Sequence, residues 1–333
     1  MSATTITRQI TTENWVMNLG RDITVPSSTL LELSKFLNDR WKKASLKSIR
    51  IPWYGATKNL VPSPIIRVDM APTKNKEGVV GGIYETEVRP GGLGVMLEYG
   101  PVEKELWKQA LSSCRGFVVG PDTHILDDET ACRILDIPYY TLADMPQDDG
   151  PYWMRTAIND QGLDDNSLVP VTDDGLKMDL VALGLAKIVR GGDEIDWETP
   201  QVFKPLQGTW CREVKDGKVG GDIGVEVYLP DQLHHQMPRF FSEETRGEAL
   251  RGFAKKKKIE HMLASGSKII SQPFVPPERV RCPNGKRLGW RIWRLYYGYI
   301  DGRYRYIGGV WAWRTNIKVH GASDAVFGFI TEQ

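Results

Sequence analysis

Asp301-Gly302 stands between two long runs of β-forming residues, Trp290 to Ile300 and Arg303 to Trp313. An Asp-Gly pair accepts the positive φ of a type I′ turn, whose twist matches that of the strands beside it. The spacing predicts a long antiparallel hairpin, and so a chain organised around a sheet. Tyrosines, tryptophans and arginines alternate along both runs. On an open surface such rings could stack single-stranded bases. They could equally form a packed aromatic core with the arginines stacked on rings or paired with acids.

A second β pattern carries charge. In Arg67-Val-Asp69 and in Glu85-Thr-Glu87 the charged residues sit two apart. Side chains at i and i+2 of a strand share a face. Arg67 and Asp69 therefore point one way, and Ile66, Val68 and Met70 the other. Residues 75 to 82 suit the turn between the two segments. Paired as neighbours, the strands gather three carboxylates and one guanidinium on one surface. Three like charges call for a cation between them, and oxygen-only ligands suit Mg²⁺ bridging to phosphate. Alternation of this kind also occurs on the solvated face of an ordinary hairpin.

At 333 residues the chain is long enough for two domains or one elaborated domain. A formal net charge of +1 argues against a surface built wholly for nucleic acid or membrane. Cys114, Cys132, Cys211 and Cys282 lie far apart without a CxxC pair, which fits reduced thiols in a cytoplasmic protein. No apolar run approaches the roughly 20 residues of a membrane-spanning helix.

Periodicity predicts a first helix over 27–44, capped by Ser27 or Ser28 and carrying Leu30, Leu33, Leu37 and Trp41. Arg89-Pro-Gly-Gly-Leu-Gly94 should stop the second charged strand. A helix over 102–113, a strand at 117–119, a helix capped by Asp127 or Asp128, and a strand at 139–141 make a β-α-β run. The acidic stretch 144–166 reads as a crossing between lobes, and 176–188 as a helix ended by Gly191-Gly192. Strands are expected at 201–205, 225–229 and 268–275, with a glycine-bearing turn region at 208–221 and a long basic helix over 243–263. The class is α+β. The natural divisions are a helical and strand segment at 1–60, the charged strands with a small α/β lobe at 61–150, and the remainder at 151–333.

Lys204 ends an apolar strand and is followed by Pro205, Gly208 and Arg212. A lysine held there meets phosphate as a point charge, and a glycine turn lets backbone N–H groups approach phosphate oxygens. Lysine, glycine turn and acidic metal site together are the parts that phosphoryl transfer needs. Ile269-Ile-Ser-Gln272-Pro could line a flat pocket. Arg314, in a glycine-bounded segment, is a candidate to meet a substrate oxyanion or phosphate.

Taken in order, these segments resemble the circularly permuted branch of the ATP-grasp superfamily, as in glutathionylspermidine synthetase and related carboxylate–amine ligases. Arg67-Val-Asp69 and Glu85-Thr-Glu87 are similar to that family's RxD and ExN strands, and Lys204-Pro-Leu-Gln-Gly208 with Arg212-Glu213 to its KPxxGREG segment. Ile270-Ser-Gln272 is similar to its adenine-pocket strand, and Gly308-Gly-Val-Trp-Ala-Trp-Arg314 to its late arginine segment. The resemblance runs through short motifs between about residues 60 and 330. It implies a permuted ATP-grasp fold with a small pre-ATP-grasp lobe. It further implies Mg²⁺ on Asp69, Glu85 and Glu87, and ATP on Lys204, Gly208, Arg212 and Gln272. Lys187 stands in for a second lysine, and Arg67 and Arg314 lie near the acyl phosphate. Glu87 replaces the family's Asn, and the second glycine expected after Glu213 is missing. No segment of the sequence is similar to that family's amidase domain, so hydrolysis is not implied.

The resulting expectation is an ATP-dependent ligase joining a carboxylate to an amine, both small and amino-acid- or peptide-like. The alternative is a single-stranded nucleic-acid-binding protein that uses the C-terminal hairpin. A nucleotidyltransferase with a covalent lysine–AMP is disfavoured because Lys204 lacks a KxDG spacing.

Overall fold

The computed structural model describes residues 8–12, 15–41, 53–54, 63–72, 78–87, 90–119, 125–141, 143–144, 146, 152–155, 180–181, 183–205, 212–215, 218–222, 225–230, 253–264, 269–281, 288–317, 319 and 325–333. In chain order the first half contains β1 (Arg8–Thr12), β2 (Trp15–Leu19), β3 (Ile23–Val25), α1 (Ser27–Phe36), β4 (Trp53–Tyr54), β5 (Ile65–Met70), β6 (Ile83–Glu87), α2 (Leu93–Tyr99), α3 (Lys104–Leu111), β7 (Gly116–Val119), α4 (Ile125–Leu135), β8 (Tyr139–Thr141) and β9 (Tyr152–Met154). The second half contains β10 (Lys187–Val189), β11 (Gln201–Pro205), β12 (Arg212–Lys215), β13 (Lys218–Asp222), β14 (Glu226–Tyr228), β15 (Phe253–Ala254), α5 (Lys256–Ala264), β16 (Ile269–Pro273), β17 (Glu278–Arg281), β18 (Leu288–Ile300), β19 (Arg303–Arg314) and β20 (Val326–Glu332). The class is mixed α+β with several sheets.

The largest sheet runs β1-β2-β20-β19-β18-β5-β6, with β17 beside β18 and β3 beside β20. Its spine is the β18–β19 hairpin, turned at Asp301 (φ 50°) and Gly302 (φ 77°) as the Asp-Gly pair requires. One sheet thus draws strands from all three segments set apart in the sequence. Alternation divides its two faces. Ile66, Val68, Met70, Leu295, Tyr297, Trp311 and Trp313 pack on one side with Leu30, Leu33 and Leu37. Leu30 and Leu33 come from α1 and Leu37 from the π-helical turn Leu37–Trp41 that follows it, all at helical spacing, and each is at most 2 % exposed. Burying each such leucine is worth about 1.5–3 kcal/mol. Ile292, Tyr296, Val310, Ala312, Phe327 and Phe329 pack on the other side under Met96 and Leu97 of α2 and Trp107 and Leu111 of α3. Trp290, Tyr296, Tyr297, Tyr304, Trp311 and Trp313 are all buried. These hairpin rings therefore form core and offer no stacking surface.

A second sheet, β10-β16-β11-β14-β15, is antiparallel except at β14–β15. One of its faces packs Val189, Phe203, Tyr228 and Ile269 on Ile259 of α5. The β12–β13 hairpin lies between β11 and β14 in the chain. A small sheet, β4-β9-β7-β8, contains the expected β-α-β run with β7 parallel to β8. No helix among the described residues is long and apolar enough to cross a membrane.

Several local expectations are corrected. The 176–188 helix is helical only at 180–181 among its described residues, and Lys187–Val189 is a strand that pairs with β16. The basic helix begins at Lys256, after the β15 strand, and 231–252 lies outside the described residues. The glycine turn region holds a β-hairpin instead, although Gly208 itself lies outside the described residues. Ser27 does not cap α1: the N-cap is Pro26, and the Ser27 hydroxyl donates to the Gln333 carbonyl. Asp127 and Asp128 lie in the first turn of α4 and are not its cap. The segment after Arg89 does more than end a strand, since α2 starts at Leu93. Most of 144–166 lies outside the described residues.

Candidate metal and phosphate site

Strand registers gather the charged residues into two rows across β6, β5 and β18. Glu85 pairs with Asp69, and Asp69 with Arg294; Glu87 pairs with Arg67, and Arg67 with Tyr296. Directly opposed residues have Cβ atoms roughly 4.5–5.5 Å apart, so each row is a line of contacting groups. A bulge sets this arrangement. Met70 pairs with Ile83 and Asp69 with Glu85, which leaves Tyr84 as the extra residue. Ile83 consequently turns to the apolar side with Val68 and Met70, while Glu85 and Glu87 stay beside Asp69.

Asp69, Glu85 and Glu87 bring carboxylate oxygens within 4.8 Å of one another. Arg67 frames them. Its Nε donates to Asp69 Oδ1 at 2.7 Å and its Nη2 to Asp69 Oδ2 at 3.1 Å and Glu87 Oε1 at 2.6 Å. Its Nη1 donates to the Gly91 carbonyl at 3.3 Å. Arg67 and Asp69 are 7 % and 5 % exposed, so these charges face one another with little water between them. Burial opposes the charge on Arg67, but Asp69 and Glu87 outweigh it and hold its pKa well above the ordinary value. Burial pushes the Glu87 carboxyl up to about 7, Arg67 pulls it down in part, and Glu85 and Asp69 push it up further. Three carboxylates thus stand beside two guanidinium groups, Arg67 and Arg294.

The second sheet closes on this cluster. Val202 pairs with Gln272 and Lys204 with Ile270, so Lys204 and Gln272 share a face. Lys204 Nζ donates to the Tyr84 carbonyl at 2.5 Å, and Gln272 Nε2 donates to the Ile83 carbonyl. The Tyr84 hydroxyl donates to the Val275 carbonyl. β6 is a sheet edge, and its outward carbonyls would otherwise lack partners. Lys204 is thereby fixed next to the residue that precedes Glu85. Gln272 is 3 % exposed, and among the described residues its Oε1 has no hydrogen-bond partner.

The loop after β6 is clamped as well. Asp127 accepts from the N–H groups of Gly92, Leu93 and Val95 at 2.7, 3.0 and 3.1 Å, capping α2 from α4. Arg155, paired with Asp128 at 2.8 Å, donates to the Pro90 carbonyl at 2.6 Å. The Tyr296 hydroxyl donates to the Gly91 carbonyl at 2.8 Å. Gly92 has φ 88°, and a Cβ there would lie 2.7 Å from that hydroxyl oxygen.

Asp69, Glu85, Glu87, Arg67, Lys204 and Gln272 are thus brought together from distant parts of the chain. Lys187 is not. It pairs with Ser271, which turns it to the opposite face from Lys204, and its Nζ donates to the Glu194 carbonyl at 2.7 Å. Arg314 shares the cluster's face but pairs with Trp290, roughly 13 Å along β18 from Arg294. Arg212 starts β12, and its side chain lies outside the described residues. Arg294, Tyr84, Asp127 and Arg155 were not singled out as site residues. Arg294 shows in sequence only as one arginine of an aromatic run, and its place beside Asp69 depends on a register between strands more than two hundred positions apart. No protein-family model matches the chain, and no curated protein matches it either.

Proposed function

We propose that the chain is an ATP-dependent ligase that joins a carboxylate to an amine, built as a circularly permuted ATP-grasp fold. The observation that carries this reading is the bond from Lys204 Nζ to the Tyr84 carbonyl, beside Glu85. It holds Lys204 one residue away from Glu85, although the two are far apart in sequence, and this supports a shared site. The donor set fits Mg²⁺: three carboxylates whose oxygens lie within 4.8 Å of one another. Asp69, Glu85 and Glu87 would hold the ion. When bound, it would neutralise charge on the phosphoryl oxygens.

Lys204 would contact the ATP phosphates, and Gln272, with its unpartnered Oε1, would face the base. Arg67 keeps the carboxylates oriented. In the reaction a substrate carboxylate oxygen bonds to the γ-phosphorus, the bond to the bridging oxygen breaks, and ADP leaves. The amine nitrogen then bonds to the acyl carbon and gives up a proton to solvent, while inorganic phosphate leaves with the former acyl oxygen. Arg314 would stand further out, toward the substrate.

Phosphate release with ATP and Mg²⁺, screened against pooled amino acids, polyamines and small carboxylic acids, tests the reading. ADP and phosphate are expected to appear only when both a carboxylate and an amine are present. Lys204→Ala is expected to lower the rate by about 10²–10³-fold, as for other groups that stabilise transferring charge. An unchanged rate in Lys204→Ala would contradict the assignment.

A further inference from the structure

We propose that Arg294 is the guanidinium that meets the transferring phosphoryl group; this rests on the ligase reading. Two arginines border the carboxylates, and they are held differently. Arg67 is engaged on every side: Nε and Nη2 donate to Asp69, Nη2 also to Glu87, and Nη1 to the Gly91 carbonyl. It cannot turn to a ligand without releasing the acids it orients. Arg294 lies at the end of the row Glu85–Asp69–Arg294, directly opposite Asp69. Its one charged contact among the described residues is Nε to Asp69 Oδ2 at 3.3 Å, and the geometry there does not make a hydrogen bond. That Nε is buried and, among the described residues, has no hydrogen-bond acceptor; the side chain is 13 % exposed.

An ionised donor left buried without an acceptor is costly, and a native fold rarely keeps one unless something else completes it. Here Asp69 offsets the charge at 3.3 Å but accepts no hydrogen bond from that Nε, and an anion beside it would supply the acceptor. The carboxylates would hold a cation against the same phosphoryl oxygens, and Asp69 stands between Glu85 and Arg294 in the row. A planar guanidinium can grip two phosphoryl oxygens at once, which suits a tetrahedral anion arriving beside Asp69. On the far side of Arg294 the sheet continues through Val310 into the apolar core. The ligand must therefore approach from the carboxylate side. The γ-phosphoryl meets this requirement, because it is the part of ATP that ADP lacks.

Titration calorimetry on the full chain, with Mg·ADP and with the Mg complex of the non-hydrolysable γ-imido analogue of ATP, tests this. Arg294→Ala is expected to weaken the triphosphate analogue by about 10–100-fold, the size of a lost charge-assisted hydrogen bond. Mg·ADP affinity is expected to stay within about twofold. Arg294→Lys, which keeps the charge and the packing stem, is expected to recover part of the loss and carries the test if the alanine variant does not fold. An equal loss for both nucleotides, or no loss for the analogue, overturns the assignment of Arg294. Wild-type protein that binds neither nucleotide overturns the ligase reading itself, and this proposal falls with it.

Discussion

Arg67 holds the candidate site together, because its guanidinium binds two of the three carboxylates, Asp69 and Glu87, at once. Taking it away leaves like charges buried side by side. Arg67→Met is expected to lower unfolding free energy by about 3–5 kcal/mol, the usual cost of breaking a buried pair. Denaturant titration at pH 8 measures it, and the loss should shrink at pH 5 as Glu87 takes up a proton. Glu87 adds its own pH dependence. Its folded pKa is raised from 4.5 to about 7, so between those values the folded protein holds a proton that the unfolded chain has lost. Stability therefore falls as pH rises through that window, by linkage. A bound divalent cation favours the ionised carboxyl. Stabilisation by Mg²⁺ should accordingly be larger at pH 8 than at pH 6, and thermal melts at the two pH values check it. A Mg²⁺ effect that grew toward acid would contradict this role for Glu87.

Among the elements, β6 and the turn behind it matter most. The Tyr84 bulge turns Ile83 inward and presents two carbonyls to Lys204 and Gln272. Asp127 holds the next element by capping α2 through three N–H groups. Asp127→Ala is expected to cost about 0.5–2 kcal/mol in urea unfolding, with Asp127→Asn close to wild type. Equal losses in the two variants would assign the effect to charge and not to capping. The charged strands were legible because alternation of period two is strong and local: Arg67, Asp69, Glu85 and Glu87 share a face as expected. The bulge was not legible, since nothing in Ile83-Tyr84-Glu85 marks an extra residue. Asp127 was read as a cap for the helix it sits in, because capping across elements leaves no local signature. Lys187 was read onto a helix because Leu176, Leu180 and Leu183 recur at helical spacing, yet pairing with β16 makes a strand of it.

At the scale of the whole molecule, the main sheet takes strands from residues 8–25, from 65–87 and from 278–332. Local patterns located four of its nine strands, β5, β6, β18 and β19, and the Asp301-Gly302 hairpin forms as expected, whereas no local pattern marked the strands at 8–25, 278–281 and 326–332. Which strands become neighbours depends on packing over long separations, so Arg294 beside Asp69 had no signal in the sequence. The same long-range assembly brings Lys204 to the acidic strands. The most direct test is calorimetric binding of ATP, with and without Mg²⁺, to wild type, Asp69→Asn, Lys204→Ala and the double variant. One shared site requires that wild type bind ATP at least about tenfold more tightly with Mg²⁺, that each single variant lose most of that gain, and that the two losses be clearly non-additive. Independent, additive losses, or no Mg²⁺-dependent binding in wild type, would contradict a single metal and phosphate site.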